Sequence, residues 1–185
     1  SIRNAVSAGL HVNGYHFARF TTVAGAKAEA QMAARSALKA GLGKNSVIVL
    51  DFEATNSGWD QNSKIVKAWI NEVHRMGYPK TDVYTMGSWI NSVPLNTTGR
   101  GGWVANYPYN PSGFKLYTGY NGWQWTSSMH FPGCYGTFDV SQMYSNYYYG
   151  TTTKTIKPKK AIYYRYNPKM IYARTPINRY KDVAF

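Results

Sequence analysis

The sequence is poor in cysteine, in long apolar runs and in acidic residues, and each shortage excludes a class of structure or site. Cys134 is the only cysteine among 185 residues, so no disulfide can form within the chain. No run of about 18 consecutive apolar residues occurs, so the sequence predicts no membrane-spanning helix. A chain of this length can bury a core without disulfides, which is typical of one domain with a small appendage.

Acidic residues are scarce, since eight Asp and Glu stand against 21 Lys and Arg, and the formal net charge is +13. This excess favours polyanionic partners, and charge alone leaves nucleic acid, anionic lipid and a bacterial wall open. No recognition helix, phosphate loop or ribonucleoprotein motif occurs, so we expect no nucleic-acid partner. The histidines show no ligand spacing with one another or with Cys134, so we expect no metal and no cofactor.

Positive charge is concentrated near the C-terminus, where residues 151–185 hold nine Lys and Arg and one acid. Residues 150–160 are polar, basic and low in complexity, and we interpret them as a linker. Residues 161–185 alternate Tyr with apolar residues, which predicts two or three short strands. So short a segment cannot bury a core alone, and it either docks on the main domain or belongs to a larger module.

Strand-like and helix-like stretches alternate along the rest of the chain. The short segment of residues 14–20 is rich in aromatic residues and predicts a strand, and the Ala-rich segment of residues 24–42 predicts a helix. A second helix is predicted to begin at a cap formed by Asn62 or Ser63 and to end near Gly77. Repeated strand–helix units predict a mainly parallel sheet, for which we favour a β/α barrel over a doubly wound open sheet. The other predicted strands are residues 47–53, 82–85, 103–107, 123–126 and 137–140.

The predicted strand at residues 47–53 is an apolar run that ends in the acids of Asp51-Phe52-Glu53. Because alternate residues of a strand point to the same face, Asp51 and Glu53 project together and Phe52 points away. Two neighbouring carboxyl groups can divide acid and base roles, since like charge and burial raise the pKa of one of them. Cleavage of a glycosidic bond needs such a pair, although a solvated strand end or an ion pair would also explain the motif.

A third acid, Asp139, also lies in a strand-like stretch and could approach the same strand ends. Placing acids directly after a buried apolar run costs free energy unless the acids are paired or serve a function. This favours a functional pair at Asp51 and Glu53. A turn or a helix N-cap is the alternative explanation for Asp139.

Several segments together resemble the glycosyl hydrolase family 25 lysozymes over roughly residues 5–145. Gly14-Tyr15-His16-Phe17-Ala18-Arg19-Phe20 and the Ala-rich helix after it are similar to the third-strand region of that family. Val49-Leu50-Asp51-Phe52-Glu53 is similar to its catalytic Asp-x-Glu strand. Later motifs follow in the family's order: Val83-Tyr84-Thr85 with Trp89, Trp103-Val104-Ala105-Asn106-Tyr107, Trp123-Gln124-Trp125-Thr126 and Gly136-Thr137-Phe138-Asp139-Val140.

The resemblance implies a lysozyme that hydrolyses the β-1,4 bond between N-acetylmuramic acid and N-acetylglucosamine, of the phage endolysin or bacterial autolysin type. It implies that Glu53 is the general acid, that Asp51 is its electrostatic partner and that Asp139 is the acid of the last strand. The side chains expected to line the substrate pocket, unless they only pack within the barrel, are Tyr15, Tyr84, Tyr107, Gln124 and Trp125.

The resemblance also implies an irregular, TIM-like β/α barrel over residues 1–149 that is incomplete at its N-terminus. The family opens with a strand that bears another Asp, and the present sequence begins near the helix before the third strand. Residues 161–185 resemble part of an SH3-like wall-binding module. The expected partners are therefore peptidoglycan and, through the basic tail, anionic wall polymers.

These expectations place the protein outside the cell, secreted or associated with the wall, or in a host wall if a phage encodes it. The alternative function is a non-catalytic glycan-binding module built on a truncated or degenerate lysozyme barrel. The three acids argue against that alternative, because a lectin does not need clustered carboxyl groups.

Overall fold

The computed structural model describes residues 2–95 and 101–149. The linker and the basic Tyr-rich segment predicted at residues 150–160 and 161–185 lie outside the described residues. The described helices are α1 (Ile2–Ser7), α2 (Val23–Lys39) and α3 (Trp59–Arg75), with a 3₁₀ turn at Gly87–Trp89. The described strands are β1 (Gly14–Phe17), β2 (Ile48–Asp51), β3 (Thr81–Met86), β4 (Trp103–Ala105), β5 (Gly122–Met129) and β6 (Phe138–Met143).

The six described strands form one sheet in chain order, from β1 at one edge to β6 at the other. Strands β1 to β5 are parallel, and β6 returns antiparallel to β5 as a hairpin. Sequential strand order, with α2 and α3 packed on the same face, is the arrangement of a barrel and not of a doubly wound sheet. The sheet curls into a half-barrel, which confirms the predicted α/β class and barrel-like fold.

Helix α2 packs closely on α3 through a face of small side chains. Thr22 caps the helix, since its hydroxyl accepts a hydrogen bond from the amide of Gly25 at 3.1 Å. Ala26, Ala30 and Ala34 repeat every four residues, and all three are buried. The small side chains allow the two helices to approach while they cover the outer face of the sheet.

Helix α3 begins at Trp59, about one turn before the cap predicted at Asn62 or Ser63. That prediction was wrong because Gly58 starts the helix, with a φ of 82° that favours glycine. Asn62 lies inside the first turns, and its side chain is fully buried, where it bonds to loops outside the helix.

The two faces of the sheet carry different side chains. On the convex face, Ile48, Leu50 and Phe52 pack against α2 and α3 in the main core. On the concave face, Val47 and Val49 pack against the segment of residues 144–149 that follows β6. No helix within the described ranges is long and apolar enough to cross a membrane.

Candidate active site

The Asp51-Phe52-Glu53 motif lies where β2 ends, at the C-terminal edge of the parallel strands. Phe52 is 1% exposed and belongs to the core under the helices. Asp51 is the last residue of β2 and pairs in register with Phe17 of β1 and with Tyr84 of β3. The alternation of a strand therefore directs Asp51 and Glu53 away from Phe52, toward the concave face.

Asp51 is a buried carboxyl group with an unusual proton affinity. Its side chain is 7% exposed, and within the described residues its Oδ1 atom is buried without a hydrogen-bond partner. Burial, followed by the charges of Glu53 and Asp139, raises the pKa of Asp51 from 3.8 to about 7. This carboxyl group therefore holds a proton at pH values where an ordinary Asp is ionised.

Glu53 is half-buried at the rim, directly after the end of β2. Burial and the charge of Asp139 raise its pKa above the ordinary value. A carboxyl group with a raised pKa that remains accessible to a ligand is suited to donate a proton.

The main chain of Phe52, directly before Glu53, is held by β3. The amide of Phe52 donates to the carbonyl of Tyr84 at 2.8 Å, which is a main-chain bond just past the paired residues of β2. The carbonyl oxygen of Phe52 accepts a hydrogen bond from the Thr85 hydroxyl at 2.7 Å, and Thr85 is fully buried. A side-chain donor thus fixes the peptide plane immediately before Glu53.

The loop after Glu53 is held by Asn62 of α3. The Asn62 Oδ1 atom accepts from the amide of Ser57 at 3.2 Å. Its Nδ2 group donates to Asn56 Oδ1 at 2.9 Å and to the carbonyl of Ser92 at 2.8 Å. One buried amide therefore joins the loop that follows Glu53 to the segment that follows β3.

Asp139 lies on β6, so the alternative of a turn or an N-cap is wrong for this residue. It is exposed, and its charge contributes to raising the pKa values of both Asp51 and Glu53. Strands β2 and β6 are four positions apart in the sheet, so the curl of the half-barrel brings these three acids within electrostatic reach.

A cluster of two tyrosines and an amide lies beside the acids. The hydroxyl groups of Tyr84 and Tyr107 both donate to the Oε1 atom of buried Gln124, that of Tyr84 at 2.7 Å. Burial raises the pKa of both tyrosines, and the charge of Glu53 raises it further. The two phenol groups also interact with each other, and Tyr107 has a further hydrogen bond with Ser127, so the cluster is a connected polar network beside the acids.

The other two predicted pocket residues differ in position. Tyr15 on the edge strand β1 is 47% exposed, and burial together with the charges of Asp51, Glu53 and Asp139 raises its pKa. Trp125 is half-buried next to a β-bulge of β5, and no hydrogen bond or ring contact joins its side chain to the acids among the described residues. The structure thus brings Tyr15, Tyr84, Tyr107 and Gln124 together around the acids, and it shows no such link for Trp125.

Sequence reasoning missed three buried polar residues that shape this region: Asn62, Asp82 and Thr85. Asp82 lies deeper in the concave face and is fully buried. It accepts hydrogen bonds from the Tyr148 hydroxyl at 2.7 Å and from Asn121 at 2.9 Å, as well as from main-chain amides. The sequence signal that could have found Asp82 was an acid inside a predicted strand, directly before Val83 and Tyr84.

The histidines and the cysteine have ordinary surroundings. His16 pairs with Glu29 at 2.7 Å and stacks on Trp69, and Cys134 is exposed. In residues 2–95 and 101–149, no group of three or more His, Cys, Asp or Glu side chains is arranged to hold a metal ion.

Comparison with known proteins finds one family whose model matches residues 1–134, described as glycosyl hydrolases family 25. No curated protein matches the chain. The fold is similar to the modular autolysin LytC of Streptococcus pneumoniae, with a TM-score of 0.62 and 23% identity over 76% of this chain and 35% of that one. The CTP1L endolysin matches with a TM-score of 0.63 and 29% identity over 78% of this chain and 51% of that one.

A third similar structure is the spore cortex lytic enzyme SleM of Clostridium perfringens. It matches with a TM-score of 0.58 and 19% identity, over 75% of this chain and 51% of that one. The chain therefore spans between about a third and a half of the length of these three structures.

Proposed function

The chain belongs to glycosyl hydrolases family 25, and on this premise we propose that it is a peptidoglycan hydrolase. The bond proposed for cleavage is the β-1,4 link between N-acetylmuramic acid and N-acetylglucosamine. The observation that carries the proposal is the pair of carboxyl groups with raised pKa, Asp51 and Glu53, at the C-terminal strand ends. Active sites of barrel enzymes lie at that edge.

Glu53 is proposed as the general acid because it is the more accessible member of the pair. Its proton passes to the glycosidic oxygen, the bond from that oxygen to the anomeric carbon breaks, and positive charge develops on the sugar. A water oxygen then bonds to the anomeric carbon, and the proton released from the water returns to the carboxyl pair. The products are a reducing N-acetylmuramic acid end and a free N-acetylglucosamine hydroxyl group.

Asp51 and Asp139 are proposed to assist from two sides. The raised pKa of Asp51 is consistent with a proton shared between Asp51 and Glu53, so that one of the two is kept neutral. Asp139, exposed on β6, supplies negative charge that stabilises the developing cation.

The cluster of Tyr84, Tyr107 and Gln124 is proposed to bind the sugar, together with Tyr15 at the rim. Hydroxyl and amide side chains suit the hydroxyl and acetamido groups of the amino sugars. Trp125 is retained as a proposed pocket residue through stacking alone. LytC and the Cpl-1 endolysin have been solved with a peptidoglycan ligand and a peptidoglycan analogue, which supports this substrate class.

The proposed place of action is the bacterial wall, reached by secretion or, for a phage protein, by release in the host. Autolysins and endolysins are among the similar structures, which supports this setting. The proposed domain division assigns residues 1–149 to catalysis, residues 150–160 to a linker and residues 161–185 to wall attachment.

The test measures reducing sugar released from purified peptidoglycan by the chain and by Glu53→Gln. We expect activity for the chain and a loss of at least about a hundredfold for the variant, because the proton donor is removed. Asp60→Asn, an exposed acid of α3, is the matched control and should retain activity. Equal rates for the chain and Glu53→Gln would refute the assignment of the acid, and wall binding without release of sugar would favour the glycan-binding alternative.

A further inference from the structure

The convex side of the molecule has a positively charged groove that the proposed hydrolysis does not use. A groove of about 500 Å³ lies between α2 and α3 and is lined by Lys27, Lys64, Lys67 and Arg75 among others. A second groove of about 770 Å³ lies between α3 and residues 90–95. Both are lined by Lys64, Lys67 and Asn71, so they adjoin along α3, and we call the two together the basic groove.

Basic side chains outnumber acids in the basic groove. Glu72 is bonded to Arg75 and to Gln31, the latter at 2.6 Å, and its charge also attracts Lys27. Asp60 precedes Lys64 by one helical turn, but no ion pair joins them in the part of the chain that the structure describes. Lys27, Lys64 and Lys67 therefore leave a net positive charge in the groove.

The lysine spacing follows from the helix itself. Lys64, Lys67 and Asn71 are separated by three and four residues, so they lie along one face of α3. Lys27 faces them from α2, across the first groove. Trp59, which is 52% exposed, lines the second groove and offers an apolar surface next to the charges.

We propose that the basic groove binds a single strand of a phosphodiester-linked polyol polymer of the bacterial wall. Lys27, Lys64 and Lys67 contact successive phosphates, and Trp59 contacts the polyol between them. Nucleic acid is the less suitable occupant, because a single strand binds through successive aromatic platforms and the exposed large aromatic among these lining residues is Trp59.

The basic groove and the carboxyl pair lie on opposite faces of the sheet. Helices α2 and α3 cover the convex face, whereas Asp51 and Glu53 point to the concave face. A wall polymer and a glycan strand can therefore bind at the same time. This inference concerns a site separate from the proposed hydrolysis, and only the choice of a wall polymer as its occupant rests on the proposed function.

The experiment measures binding of the full chain to synthetic poly(glycerol phosphate) by isothermal titration at low salt. Lys64→Gln/Lys67→Gln is the test variant, and Lys39→Gln/Lys115→Gln removes equal charge at exposed positions away from the groove. We expect the test variant to bind about tenfold more weakly and the control to change by less than about twofold. Equal weakening in both variants would overturn the proposal.

A second measurement is needed because residues 151–185 are also basic and remain in every variant. Lysine acetylation with and without the polymer, followed by mass spectrometry, reports on each lysine separately. Bound polymer should protect Lys27, Lys64 and Lys67 and leave Lys39 and Lys115 reactive. Uniform protection, or DNA that protects the same lysines at equal or lower concentration, would contradict a polyol phosphate site.

Discussion

Asp51 combines a buried position with an unpartnered Oδ1 atom in the described structure, and both have consequences for stability. An Asp whose pKa is raised binds its proton more tightly in the folded state than in the unfolded chain. Between its ordinary value of 3.8 and its folded value of about 7, the free energy of unfolding therefore falls as the pH rises. Above that window, this contribution no longer changes with pH.

Asp51→Asn should consequently increase the free energy of unfolding at high pH and change this free energy little at low pH. The amide carries no charge, so the variant avoids the cost of a buried carboxylate, which amounts to about 2–4 kcal/mol at about pH 8. Urea unfolding at about pH 3 and about pH 8 gives both values. Asp60→Asn is the exposed control, and a stability of Asp51→Asn equal to that of the native chain at both pH values would contradict the raised pKa.

Thr85 offers a sharper test of how Glu53 is positioned. Thr85→Val keeps the shape of the side chain but removes the hydroxyl that donates to the Phe52 carbonyl. If Glu53 is the acid, we expect kcat to fall about tenfold with KM nearly unchanged, because only the orientation of the donor is altered. Thr85→Ser should restore kcat, and equal rates for the Val and Ser variants would argue against a positioning role.

At the level of elements, helix α3 does more than cover the sheet. Its Asn62 side chain spans from the loop after β2 to the segment after β3, so the helix fixes the loop that follows Glu53. The helix face that carries Lys64 and Lys67 belongs to the basic groove. One helix therefore serves both the proposed catalytic site and the proposed polymer site.

Asn62→Ala should destabilise the protein by about 1–3 kcal/mol, because the three hydrogen bonds of this fully buried side chain are lost. Asn71→Ala on the same helix is exposed and should cost less than about 0.5 kcal/mol. Thermal unfolding of both variants measures the difference. Similar losses for the two variants would show that Asn62 does not hold the loops.

At the scale of the whole molecule, the segment of residues 144–149 closes the concave face below the acids. Tyr148 donates to Asp82, Tyr147 donates to the carbonyl of Thr81 at 2.9 Å, and Asn13 donates to the carbonyl of Tyr148 at 3.2 Å. This segment thereby joins β3 to the loop before β1. It replaces solvent at the base of the half-barrel with packed aromatic rings.

Tyr148→Phe should lower the stability by about 1–3 kcal/mol, because the buried carboxyl group of Asp82 loses a donor while the aromatic packing is kept. Without that donor the pKa of Asp82, already raised by burial, should rise further. The loss in free energy of unfolding should therefore be larger at neutral pH than at acid pH. A loss that does not vary with pH would show that Asp82 does not respond to this hydroxyl.

The sequence predicted those parts of the molecule that depend on near neighbours. Alternation along β2 correctly placed Phe52 opposite Asp51, and alanine spacing located α2. The bonds of Thr85 to Phe52 and of Asn62 to Ser92 join residues 33 and 30 positions apart, so local patterns carry no signal for them. The start of α3 was missed for a related reason, since Asn62 is a typical cap residue that here has distant partners.

The bond between Asn13 and Tyr148 joins residues 135 positions apart, so it also sets an order of events during synthesis. The loop before β1 is synthesised well before its partner, which is made only when almost the whole described chain has been translated. Until then the concave face, with Val47 and Val49, remains uncovered. We therefore expect β1 to β4 to persist as a partly folded nascent chain, whose exposed apolar face favours aggregation or chaperone binding until residue 148 emerges.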